Sequence, residues 1–121
     1  SIDFRVNGDT GTNYSFTTVF GVGLGGAGSQ RTTAKTFGTI SYSAGGSSTT
    51  PSTLIAQFMN YSNATTYKTV LARNASASTG ADASVSLWRN TAAITSITVM
   101  MESTYTMASG TTFSLYGILA A

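Results

Sequence analysis

A chain of 121 residues, 41% hydrophobic and only 8% charged, is long enough to bury one core and too apolar to be a disordered polymer. Its net charge of +2 rests on Arg5, Arg31, Lys35, Lys68, Arg73 and Arg89, which are scattered and form no footprint for nucleic acid. It contains neither His nor Cys, which removes Ser-His-Asp and Cys-His nucleophile systems, the usual zinc sites and any disulfide framework.

Period-two alternation broken by Gly, Ser, Thr and Asn predicts strands throughout. Ile2, Phe4 and Val6 face one way and Asp3 and Arg5 the other. Asn7-Gly8-Asp9-Thr10-Gly11 supplies a turn, because Asn and Gly tolerate positive φ. Tyr14 to Phe20 reads as the second strand. The stretch Gly21 to Gly28 holds five glycines and reads as a loop. A third strand is predicted from Thr36 to Ser43, and Ala44 to Pro51 is a second small-residue loop. Leu54 to Tyr61, apolar on both alternating sets except for Gln57 and Asn60, predicts a central strand. Asn63-Ala64-Thr65 turns the chain into a strand from Tyr67 to Arg73, with Val70 on one face and Leu71 on the other. Asn74 to Asp82 reads as a loop, and Ser84 to Arg89 as a strand with Val85 and Leu87 on one face. Ile94 to Met101 follows, then a turn at Ser109-Gly110-Thr111 and a last strand from Thr112 to Leu119. Helix is limited to a short turn near Thr91 to Ala93.

About seven or eight antiparallel strands in one domain over residues 1–121 give an all-β fold, a jelly-roll or Greek-key β-sandwich. No apolar run approaches the ~20 residues of a membrane span. No secretory signal opens the chain. It starts at Ser1 rather than Met, which suggests a processed or truncated start. The Ser, Thr, Gly and Ala that replace charge give a neutral exterior, suited to an assembly in which copies sit side by side.

The acids are Asp3, Asp9, Asp82 and Glu102. A glycosidase needs two carboxylates ~5–10 Å apart across a sugar. Asp9 and Asp82 both fall in predicted loops, where the plainer reading is turn-stabilising aspartates. Oxygen ligands two apart in Asn7 to Asn13 imitate a calcium loop but lack its several carboxylates and closing Glu, so a hairpin turn is preferred. Gly21-Val22-Gly23-Leu24-Gly25-Gly26 imitates a dinucleotide fingerprint without the helix that such a motif must open. The sequons at Asn13, Asn60, Asn63 and Asn74 arise readily in a chain rich in Ser and Thr. No catalytic residue, metal or cofactor is therefore expected. Trp88, Tyr61, Tyr67 and Tyr105 could stack on sugar rings, with core packing the plainer role for Trp88 and half of the tyrosines. These four, with Arg73, are the candidate contacts for a ligand or a neighbouring subunit. The loops at 21–30 and 44–51 are candidate contact segments.

Two stretches carry a family resemblance. One is Phe4-Arg5-Val6-Asn7-Gly8-Asp9-Thr10-Gly11-Thr12-Asn13-Tyr14-Ser15. The other runs from Trp88 through Asn90-Thr91-Ala92-Ala93-Ile94-Thr95-Ser96-Ile97 to Ser109-Gly110-Thr111-Thr112-Phe113-Ser114-Leu115-Tyr116-Gly117-Ile118. Together they resemble a family of small tailed-bacteriophage proteins, tail-fibre-like or otherwise part of the virion. An upstream segment usual in that family is not found here. The departure suggests a shorter relative, an absent N-terminal segment, or a strand supplied by a neighbouring copy. The resemblance implies a location in the virion, an extracellular particle whose parts are made in the host cytoplasm. The expected function is a non-enzymatic structural subunit that decorates a capsid or joins a tail. Its expected partners are other virion subunits, in a homotrimer by analogy with three-fold fibre tips and capsid ornaments. Neither nucleic acid nor a membrane span is expected. The alternatives are a tail-fibre tip that binds a host-surface glycan and a secreted bacterial adhesion module.

Overall fold

The computed structural model describes residues 1–23, 25–43, 49–102 and 104–118. These form an all-β sandwich of two antiparallel sheets, with no helix among the described residues. The strands are β1 (Ile2–Val6), β2 (Tyr14–Val22), β3 (Gly26–Lys35), β4 (Gly38–Ser41), β5 (Thr53–Phe58), β6 (Lys68–Ser76), β7 (Gly80–Trp88) and β8 (Ile97–Met101). The smaller sheet has the order β4-β1-β8 and the larger β3-β2-β7-β6-β5. Strands β5, β6 and β7 form a meander, and β2 lies beside β7 across a long connection, the Greek-key arrangement.

The corner between the sheets is written in Asn7 and Gly8. Both take positive φ (52° and 66°), and the Asp9 N–H closes the turn on the Val6 carbonyl at 2.9 Å. The turn passes the chain from β1 in one sheet to β2 in the other, so it is a sandwich corner rather than the expected hairpin. The Asn7 side chain also ties this corner to the lead-in of β8. Its carbonyl accepts from the Thr95 and Ser96 N–H groups, and its amide donates to the Ala93 carbonyl.

Asp9 locks the same corner onto the larger sheet. Its carboxylate accepts from the Trp88 indole (2.7 Å), the Asn13 amide (2.9 Å) and the Gly11 N–H (2.8 Å). Trp88, 1% exposed, packs with Phe4, Val6, Tyr14, Ile40, Val70, Ala72 and Ile94 in one core that spans both sheets. The Phe4 ring meets Tyr14 and Phe58 edge-on. Gly38 is required here, because a Cβ on it would lie 2.4 Å from the Phe4 ring.

Toward the other end the interlayer turns polar. Ser86 Oγ donates to the Thr39 carbonyl at 2.9 Å and accepts from the Thr39 N–H at 3.1 Å. Ser84 donates to the same carbonyl, and Thr39 Oγ1 to buried Asp3. Asp82 Oδ2 accepts from Ser41 Oγ and from Ser43 Oγ and N–H. Small hydroxyl side chains let β4 sit close over β7 and satisfy most of the polar groups that this closeness buries.

Several expectations are corrected. Gly21 and Val22 end β2, and Gly26 to Gly28 open β3, so the glycine-rich stretch is mostly strand; Gly23 and Gly25 make the turn between them with φ of 57° and 91°. Residues 74–82 are not a loop. Asn74, Ser76 and Asp82 alternate inward along β6 and β7, which meet through Ala77–Thr79. Gly80 takes a φ of 139° there, and any Cβ would collide with the Gly21 carbonyl. Strand β5 is an edge rather than a central strand, with Ile55 on its open side. No helical turn forms near Thr91 to Ala93. Residues 112–118 pair with no strand among the described residues and lie exposed, so the expected last strand is absent. Residues 44–48 of the second predicted loop, and Leu119 of the last predicted strand, lie outside the described residues.

Asp9 and Asp3 give the fold opposite pH limbs. Burial, the largest influence on Asp9, raises its pKa, but the bonds from Trp88, Asn13 and Gly11 together hold it below the ordinary 3.8. Its contribution is complete above the unfolded value and is lost as pH falls through the lowered one. Burial raises Asp3, outweighing the hydrogen bonds from Thr39 and Ser1, so its contribution is present at low pH and fades as pH rises through the raised value. Asp9→Ala is expected to cost about 2–3 kcal/mol in urea unfolding, since a buried indole N–H loses its acceptor. Asp9→Asn should reduce the acid limb of the stability profile to what Glu102, held low by its bond from the Ser1 ammonium, still contributes, and Asp3→Asn should flatten the limb above it.

Candidate interaction surface

The outer face of the larger sheet is built by register. Cross-strand pairing aligns Ile55, Arg73, Ala83, Val19 and Ser29 in one row, and Gln57, Leu71, Val85, Thr17 and Arg31 in the next. Alternation sends the neighbours of these residues inward and leaves these on the open side. Val19, Ile55, Leu71 and Val85 are 40–55% exposed, high for branched aliphatic side chains that lie side by side on one flat surface. Ile55, Gln57, Leu71, Arg73 and Ala83 line a shallow open depression in it. The two rows carry cations only, Arg73 and Arg31, the latter donating to Thr17 Oγ1 at 3.1 Å.

Of the candidate contact residues, Arg73 belongs to this face. Trp88 is buried with its indole bonded to Asp9, which withdraws it from any ligand-stacking surface and leaves it the packing role. Tyr61, Tyr67 and Tyr105 are exposed. Tyr61 and Tyr67 lie on the connection between β5 and β6, whose turn is held by Asn63 Oδ1 accepting from the Thr65 and Thr66 N–H groups. Arg73 stands ~20 Å of extended strand from Tyr67, so it does not join these tyrosines in one site. Lys68, at the start of β6, is fully buried and donates to the Thr66 and Thr91 carbonyls, pinning that connection to the chain beyond β7.

Asp9 and Asp82 do not converge. Asp9 is bound to Trp88 at one end of β7, and Asp82 lies near the other end of that strand, ~20 Å away and well beyond the spacing of a glycosidase pair. In the Asn7–Asn13 turn the carboxylate already accepts three hydrogen bonds from protein groups, which is the chemistry of a structural corner. No group of three or more acidic side chains capable of holding a metal ion occurs among the described residues.

Sequence reading placed Leu71 and Val85 on strand faces. It missed that Val19 and Ile55 join them, because that requires the pairing of β2 with β7 and of β5 with β6. The available signal was the Val-Leu and Leu-Ile doublets, which put an aliphatic side chain on each face of a strand. Comparison with models of protein families, with curated proteins and with solved structures finds no match.

Since Val19 and Leu71 stand about half exposed on this face, Val19→Lys and Leu71→Lys are each expected to change the urea midpoint by the equivalent of less than about 1 kcal/mol. A larger loss would place these side chains inside the folding core of the single chain.

Proposed function

We propose that the chain is a non-enzymatic structural subunit of a tailed-phage virion, decorating the capsid or joining the tail, and that it works through contacts between subunits. The observation that carries this reading is the flat outer face of the larger sheet. Aliphatic side chains stand there in register, with Arg73 and Arg31 as the charged groups of the two rows. The resemblance of the Phe4–Ser15 and Trp88–Ile118 stretches to small virion proteins supports the phage setting, and with it the extracellular particle as its location. The homotrimer follows by analogy with three-fold positions in particles.

A second reading, the glycan-binding tip of a tail fibre, draws on one observation. Tyr67 and Tyr105 present their rings to solvent, where they can stack on a pyranose. The face favours the structural reading because sugar recognition needs convergent polar groups, whereas Gln57, Thr17, Ser29 and the two arginines of these rows are spread along a flat sheet among aliphatic side chains.

The two readings part in one pair of measurements, sedimentation of the purified chain and a glycan array. The structural reading expects self-association that Val19→Lys/Leu71→Lys weakens, silence on the array, and immunogold labelling of intact particles by antibody to the chain. Binding to one sugar class, lost in Tyr67→Ala or Tyr105→Ala, would replace it with the receptor-binding reading.

A further inference from the structure

We infer that residues 111–118 cross to a second copy of the chain and pair along the free edge of its β8. The inference rests on the reading that subunit contacts carry the function, and it names one such contact.

The donor is an extended segment without a partner. Among the described residues, backbone hydrogen bonding in this region ends with the turn in which the Thr111 N–H meets the Ala108 carbonyl. Beyond it Leu115, Tyr116 and Ile118 are 82–83% exposed and Phe113 about half exposed. Along a strand Phe113 and Leu115 would share one face and Tyr116 and Ile118 the other. The segment is therefore apolar on both faces, like a strand buried between two layers. Added in cis beside its own β8, it would cover one face and leave the other in water. Lying between its own sandwich and that of a neighbour, it covers both.

The acceptor is the open side of the sandwich. Strand β8 is the edge of a three-stranded sheet facing a five-stranded one. The inward residues on this side, Ile97 and Val99 of β8 and Leu54 and Phe58 of β5, are only partly buried, whereas the central core is at most 8% exposed. One more strand beside β8 would satisfy its free N–H and C=O groups and cover these four side chains. Charge permits the match, since neither residues 111–118 nor these acceptor residues carry any. The segment passes near Tyr61 of its own chain, whose hydroxyl lies 3.8 Å from the Cβ position of Gly117. Each crossing removes on the order of 750 Å² from water, counting 150–250 Å² for each aromatic ring, and cyclic exchange repeats it at every contact of the homotrimer.

The test uses the full chain and its Leu115→Lys/Ile118→Lys variant, compared by sedimentation equilibrium over a wide concentration range. These side chains touch almost nothing in the single chain, so the near-ultraviolet signal of buried Trp88 should be unchanged. If that signal is lost, Leu115→Ser/Ile118→Ser serves in its place. The wild type is expected at a multiple of 12.4 kDa, and the variant at 12.4 kDa with association weakened on the order of 100-fold or more. A wild type that stays at 12.4 kDa throughout, or a variant that associates as the wild type does, overturns the exchange. Association lost in Val19→Lys/Leu71→Lys but retained in the segment variant also overturns it, yet leaves the structural reading standing on the sheet face.

Discussion

The fold depends on the corner at which the chain passes from one sheet to the other. Two residues in left-handed conformation reverse the backbone, and one carboxylate then gathers an indole, an amide and a backbone N–H. This fixes β1 relative to β7, and with it the stacking of the sheets, because Trp88 is both the donor to that carboxylate and the largest side chain of the core. Hydrophobic burial is not directional, so it can hold two sheets together without deciding how they are rotated. The Asp9–Trp88 bond and the Asn7 contacts supply that direction at this end, and the Ser–Thr contacts over β7 supply it at the other.

The sandwich is unequal. Three strands cannot cover five, and the deficit falls along β3, where no residue is buried, and along β5 and β8, where inward side chains remain partly open. The opposite face of the larger sheet is uncovered for a different reason, since neither sheet of the described residues packs on it. Each surface is rich in branched side chains, and each makes sense in a molecule whose neighbours complete it.

The sequence was legible where local chemistry decides the outcome. Asn7-Gly8 was readable as a turn because few residues accept positive φ, and the alternation in Ile2 to Val6 and Ser84 to Trp88 was readable because apolar residues alternate with polar ones. Reading failed where alternation was written in small polar residues. Asn74, Ser76 and Asp82 face the interior, but they look like a loop to any rule that equates inside with apolar. The glycines of β2 and β3 misled for the opposite reason, since at a hairpin end on a sheet edge the entropy they cost is offset by cross-strand pairing. The candidate surface was less legible than the fold. Arg73 was found, but the face around it depends on register between strands distant in sequence, and the exposed aromatics were easier to notice than the aliphatic rows.

The hydroxyl-lined half of the interlayer also bears on how the molecule responds to temperature. Exposing apolar surface raises the heat capacity on unfolding, and exposing polar surface lowers it. An interior in which Thr18, Thr39, Ser41, Ser84 and Ser86 take places that Val or Leu would otherwise fill yields a small heat-capacity increment for a chain of this length. A small increment makes the curve of stability against temperature broad and shallow, so chilling removes little of what holds the sheets together.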